Sequence, residues 1–252
     1  MLKWRVALGA ATLGLIVAST ASADQRKVTL ATLEWPPYTG STLPKQGATT
    51  EVIRQAFSAV GVEIDVRFMP WKRAIAQAAN GEPAAYFPGY HCKHKDGFVA
   101  SAPIGDGPLG LAEHIDAPIA WTSIDDLGEQ KLKIGTVRGY ANTAEFDEKA
   151  GTGWVRAIPA NDDATNLKKL IRKRIDAAVI DKFVLAYLVK THAALTPGGE
   201  KLRFDERPLE QKTLFLCFTD TDEGKALRDL FNGGLEQLDV GQVVDDYFDS
   251  AF

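Results

Sequence analysis

The sequence predicts an α/β protein whose two lobes face each other across a cleft. Three observations carry that expectation. Strand-like and helix-like segments alternate β-α-β-α-β from Lys27 to Gly89. The same alternation returns between Lys131 and His192, without any repeat of the sequence itself. A strand and an amphipathic helix are then left over, and they most simply return to the first lobe. Alternating β and α segments imply parallel sheets covered by helices. A returning segment gives two crossings between lobes, hence a hinge.

Taken in order, KVTLATLEW reads as a strand, with Val28, Leu30 and Leu33 among small or polar residues. The loop EWPPYTG follows. A helix is expected from about Thr49 to Val60, where Val52, Ile53, Ala56, Phe57 and Val60 keep helical spacing and Gly61 stops it. VEIDVRF alternates like a half-buried strand. PWKRAIAQAANGE is a second helix, entered by Pro70, and PAAYFPG is a third strand. The Gly- and Pro-rich ASAPIGDGPLG marks a change of direction, with LGLAEHI after it as a strand.

The second unit opens with a short helix capped by Thr122 and Asp125 or by Ser123 and Asp126. KLKIGTV is a strand, Asn142 with Glu145 can cap the next helix, and WVRAIPA is strand-like. Leu167, Leu170 and Ile171 mark a further helix face. IDAAVI is a buried strand ending at Asp181, with KFVLAYLVKTH as the helix behind it. KTLFLCF is the closing strand. Ala226, Leu227, Leu230, Phe231, Leu235 and Leu238 line one long closing helix. The expected division is lobe 1 over 24–114 and 210–252, and lobe 2 over 115–209.

Residues 1–23 read as a secretory signal peptide. Lys3 and Arg5 precede an apolar run, and Ala21-Ser22-Ala23 is a small-residue cleavage pattern. The run is shorter than the roughly 20 residues of a spanning helix. A soluble, exported protein is expected, and a monomer. Hydrophobic residues at 45% and charged residues at 25% exclude a disordered chain. Of 29 basic and 33 acidic residues, removal of Lys3 and Arg5 leaves 27 against 33, a net charge of −6. That balance does not suggest a nucleic-acid partner, and none is expected. Cys92 and Cys217 would meet an oxidising compartment, where they pair as a disulfide or stay as buried thiols. His91, Cys92 and His94 in HCKHK have metal-ligand chemistry but lack a second ligand pair at zinc-finger spacing. A solvated loop is the default there, and no metal or cofactor is expected.

Ligands of open α/β sheets sit beyond the carboxyl ends of the strands. That rule selects Trp35 and Tyr38 after the first strand, Trp71 and Arg73 after the second, and Phe87 and Tyr90 at the third. In the second unit it selects the turn from Thr136 through Arg138, Gly139 and Tyr140, and then Asp181. Rings, two arginines and one carboxylate on one side suit a small polar solute. Each has a plainer role as well. Trp35 and Tyr38 can lid the core, Trp71 can pack a helix, Arg73 can be a solvated charge, and Asp181 can cap the helix behind it. Nothing in the spacing indicates a catalytic Ser-His-Asp set or a carboxylate pair.

The pieces EWPPYTG, EVIRQAF, FMPWKRA, GTVRGYA and IDAAVIDKFVLAYL, in that order, resemble the family 3 extracellular solute-binding proteins, the periplasmic receptors of ABC importers. The resemblance implies a two-lobed, periplasmic-binding-protein-like type II fold that closes on its solute, with an inner-membrane permease as partner. By it, Trp35 and Tyr38 match the aromatic platform of lobe 1, and 136–140 matches the lobe 2 segment nearest the ligand. Asp181 matches the carboxylate that holds an α-ammonium group in amino-acid binders. One feature departs. The Arg that clamps the α-carboxylate in such binders has no counterpart in FPGYHCKHKDGFVASAP. Lys93, Lys95, Arg73 or Arg138 would have to substitute, and Lys is not a bidentate clamp. The same fold hosts a few dehydratases, and a ligand sensor acting through a separate membrane partner is a third possibility.

Overall fold

The computed structural model describes residue 1, residues 26–92 and residues 97–251. The expected signal peptide lies outside the described residues, as do Lys93, His94 and Lys95. Strand β1 (Arg26–Thr32) leads through the aromatic loop to helix α1 (Ala48–Ala59), then β2 (Val62–Phe68), α2 (Trp71–Ala78) and β3 (Ala85–Gly89). β1 pairs in parallel with both β2 and β3. The first β-α-β-α-β expectation holds.

Strands β4 (Phe98–Ala100) and β5 (Asp106–His114) follow. Helix α3 (Ile124–Glu129), β6 (Lys133–Val137), α4 (Ala144–Gly151), β7 (Arg156–Ala160), α5 (Asp163–Ile171), β8 (Ala177–Asp181) and α6 (Lys182–Thr191) form the second unit. The chain ends with β9 (Leu202–Phe204), β10 (Glu210–Thr213), β11 (Phe215–Thr219), α7 (Asp222–Leu235) and α8 (Val240–Ala251). One sheet runs β2-β1-β3-β11-β4 and the other β10-β5-β8-β6-β7, with β9 beside β5.

The strand membership corrects the expected lobe limits. β5 pairs antiparallel with β8 from Leu109–Asp181 to Glu113–Ala177, so it belongs to the second sheet, not the first. β10 pairs with β5 in the same sheet. The single strand expected from KTLFLCF is therefore two, parted at Leu214. The sheets divide near Gly105 and Leu214. The two crossings lie side by side: Ser101 N–H donates to Leu216 O at 3.0 Å, Ile104 N–H to Leu214 O at 2.9 Å, and Leu214 N–H to Gly105 O at 2.8 Å. The closing helix is also two helices, α7 and α8, broken between Leu235 and Val240.

Helices α1 and α7 bury their apolar faces on the first sheet. Phe57 and Phe231 approach to 4.9 Å between ring centroids, and Phe231 meets Phe218 of β11 at 5.9 Å. Burying each ring contributes roughly 1.5–3 kcal/mol, which exceeds what helix propensity supplies here. α8 reaches the second lobe, where its Phe248 stacks on Phe183 of α6 at 5.6 Å. Among the described residues, no helix is long and apolar enough to cross a membrane.

Cys92 and Cys217 form a disulfide with Cα atoms 5.3 Å apart. It ties the segment after β3 to β11. With Cys92 oxidised, its thiolate is not available to a metal, and the described part of HCKH carries no metal-ligand cluster.

Candidate functional site

The loop after β1 is closed on itself. Trp35 N–H donates to Thr39 O at 2.9 Å, Thr39 N–H returns to Trp35 O at 3.1 Å, and the Thr39 hydroxyl donates to Leu33 O at 2.8 Å. Its carbonyls also finish α1: Ala48 N–H donates to Pro37 O and Thr49 N–H to Tyr38 O, at 3.1 and 2.9 Å. Gly47, with φ of 107°, permits this approach, since a Cβ there would collide with the Tyr38 carbonyl. Two of the orphan donors of α1 are thus satisfied internally, which removes them as an anion site.

That rigid loop holds Trp35 and Tyr38 stacked, centroids 4.5 Å apart and planes 20° apart. Both are buried. Trp35 also meets Tyr90 edge-on at 6.0 Å, and Tyr38 meets Phe183 of the second lobe edge-on at 6.4 Å. The Tyr38 hydroxyl donates to Asp181 Oδ2 at 3.1 Å. Asp181 Oδ1 accepts from Phe183 N–H at 2.8 Å and from Val184 N–H at 3.1 Å, so it caps α6 as well. Burial pushes its carboxyl up to about 7, against the α6 N–H groups and the Tyr38 hydroxyl, which pull it down. Burial first, then the neighbouring Asp181, drive the Tyr38 phenol far above its ordinary range.

Beside this pair is a cavity of about 130 Å³. Leu33, Trp35, Trp71, Tyr86, Tyr90 and Phe98 line it from the first lobe, with Ile75 and the turn from Pro88 to His91. Gly139, Tyr140 and Ala141 close it from the second. Trp71 meets Tyr86 edge-on at 5.3 Å, and Tyr86 meets Phe98 edge-on at 4.8 Å. The Lys72 side chain packs on Gly139, whose φ is 86°. His91 is the one histidine among the described lining residues.

Of the residues selected from sequence, Trp35, Trp71, Tyr90, Gly139 and Tyr140 therefore meet around one cavity. Tyr38 and Asp181 stand beside it, bonded to each other. Phe87 is wholly buried in the first sheet and Thr136 is buried in β6. Arg73 is exposed on α2, and exposed Arg138 donates to Asn161 Oδ1 at 2.6 Å. Neither arginine lines the cavity.

Two further residues matter and were not selected. Asp163 opens α5 beyond the end of β7, much as Asp181 ends β8 and caps α6. It is buried, and burial followed by Asp162 and Asp181 pushes its carboxyl up to about 7. Its charge reaches both Tyr90 and Tyr140. The strand-end rule points to it too, since it follows the end of β7. Gly107 of β5 lies against the Tyr38–Asp181 pair, where a Cβ would strike both side chains. A glycine opening a strand gives no such signal in the sequence.

No protein-family profile matches the chain, and no curated protein sequence does. Solved structures do. An amino acid ABC transporter substrate-binding protein, AbpA of Streptococcus pneumoniae, bound to L-arginine, superposes with a TM-score of 0.69. It is 14% identical, over 89% of this chain and 95% of that one. The GluR0 ligand-binding core of Nostoc punctiforme, in complex with L-glutamate, gives 0.71 at 19% identity, over 89% and 99%. The ancestral amino acid-binding protein AncCDT-1, a precursor of cyclohexadienyl dehydratase, gives 0.67 at 16%, over 90% and 95%. Identities this low speak for the fold. The chain has the two-lobed type II fold of periplasmic solute-binding proteins, the fold of the family 3 proteins that its sequence resembles.

Proposed function

We propose that the chain is the solute-capturing component of an ABC importer, exported by residues 1–23 and working as a monomer in the periplasm. It holds one small solute between a lobe of residues 26–105 and 214–251 and a lobe of residues 106–213. The solute joins groups on both lobes and so favours the closed arrangement, which an inner-membrane permease then reads. The observation that carries this reading is the cavity lined from both lobes, with Trp35 and Trp71 on one side and Tyr140 on the other. No step of bond chemistry is needed. Thermal denaturation against a panel of amino acids, amines, di-acids and sugars tests it: at least one solute should raise the Tm and give a micromolar Kd by calorimetry. Failure of every solute on a broad panel overturns it.

One observation favours a second reading, an enzyme on the same fold. Asp163 and Asp181 have carboxyls held near 7, the range that suits proton transfer at neutral pH. Neither lines the cavity, and Asp181 is already bonded to Tyr38 and α6. Conversion of a bound solute on prolonged incubation would favour this reading over capture alone.

A further inference from the structure

We infer that the cavity selects a small organic cation, held by ring faces rather than by the charged clamps of an α-amino acid site. This rests on the solute-capturing role above and names its ligand class. An α-amino acid needs a cation for its carboxylate and a free acid for its ammonium. Among the described residues no Lys or Arg lines the cavity, and Asp181 is occupied by the Tyr38 hydroxyl and two α6 N–H groups.

The rings themselves distinguish a rounded cation from a flat guest. A flat aromatic guest is best held in a slot between parallel rings. The one parallel pair here, Trp35 with Tyr38, is closed at a centroid distance of 4.5 Å and has no room for a third ring. The remaining walls stand nearly at right angles. Trp71 and Tyr86 make 77°, Trp35 and Tyr90 make 77°, and Tyr86 and Phe98 make 90°. Rings set at right angles surround a compact guest from several directions, and ring faces not covered by a neighbour's edge carry the negative side of the quadrupole, which attracts an ammonium.

The charges behind the rings have the same sign preference. Asp163 and Asp181 act on Tyr90, and Asp163 and Asp162 act on Tyr140. Two cations are near. Lys212 Nζ lies 5.6 Å from the Tyr90 ring centroid, but its charge is paired with Glu210 at 2.7 Å. Lys72 is exposed and packs its methylenes on Gly139 at the edge of the cavity. Lys212 is the protein's own instance of an ammonium against one of these rings.

The test is isothermal titration of the purified chain with choline, with tetramethylammonium and with 3,3-dimethyl-1-butanol, the uncharged isostere of choline. Both cations should bind at least tenfold more tightly than the alcohol. Trp71→Ala should cost the cations at least tenfold, while Trp71→Phe, which keeps a ring face, should retain most of the affinity. At about pH 8.5, where the Asp163 carboxyl is ionised, Asp163→Asn should weaken the cations severalfold and leave the alcohol unchanged. Equal or tighter binding of the alcohol, or no binding of either cation, overturns the inference. If neither cation binds but an amino acid or sugar raises the Tm, only the ligand class fails. If no solute of any class binds, the capturing role fails with it.

Discussion

The Tyr38 hydroxyl donates to Asp181 Oδ2 at 3.1 Å, and this bond joins the loop behind the first strand of one lobe to the end of β8 in the other. It occupies Asp181 Oδ2 with the protein's own phenol. Tyr38→Phe keeps the stack on Trp35 and removes only the hydroxyl. It should lower unfolding stability by about 1–2 kcal/mol, since a buried hydrogen bond to a carboxyl is lost. Asp181→Ala should cost more, because the α6 cap goes with it. Urea denaturation of the two variants checks the order. An equal and negligible effect would mean that the bond does not hold in solution.

Gly107 is the residue that lets β5 pass this pair. Gly107→Ala should destabilise the protein by about 1–3 kcal/mol, because its Cβ would meet the Tyr38 hydroxyl and Asp181. Gly233→Ala is the control. It lies inside α7 with nothing within 4 Å of an added Cβ, and should stabilise by about 0.4–1 kcal/mol. Opposite shifts of Tm are the expected result.

Asp163 gives a pH dependence with a definite sign. Its carboxyl titrates near 3.8 when unperturbed and near 7 in the folded protein. Between those values the folded state holds the extra proton, so the group's contribution falls as pH rises from about 4 to about 7, then levels off. Asp163→Asn removes the titration. The variant should match the wild type near pH 4 and exceed it above pH 7 by up to about 4 kcal/mol. Denaturation midpoints across that range measure the difference. A constant gap at every pH would show that Asp163 is not buried as a neutral acid.

The disulfide closes a loop of sequence separation 125. Replacing both cysteines by Ala should lower stability by about 2–5 kcal/mol through the freer unfolded chain. It should also weaken solute binding, because Cys92 follows His91 directly and anchors that wall of the cavity to β11. Calorimetry on the double variant separates the two effects.

Much of this architecture is legible in the sequence because local signals and tertiary structure agree. Helical spacing at Val52, Ile53, Ala56 and Phe57 gives α1, and buried β-branched runs give β6 and β8. The lobe limits were less legible. LGLAEHI and KTLFLCF read as strands, but periodicity does not say which sheet a strand joins. That depends on pairing between Leu109 and Asp181, far apart in sequence. In the site, proline and aromatic content exposed Trp35 and Tyr38, and the strand-end rule brought in Tyr140 and Asp181. The strand-end rule also selects the two arginines, but it does not say which way a side chain turns. Helix phase turns Arg73 outward, and Asn161 draws Arg138 away. Asp163 and Gly107 take their importance from partners that no local pattern names.

A crystal structure of the protein saturated with a solute that raises its Tm tests the central claim most directly. The solute's electron density should lie between the lobes, against Trp35, Trp71, Tyr90 and Tyr140. Density on an outer surface, with the ring-lined cavity holding only water, would contradict it.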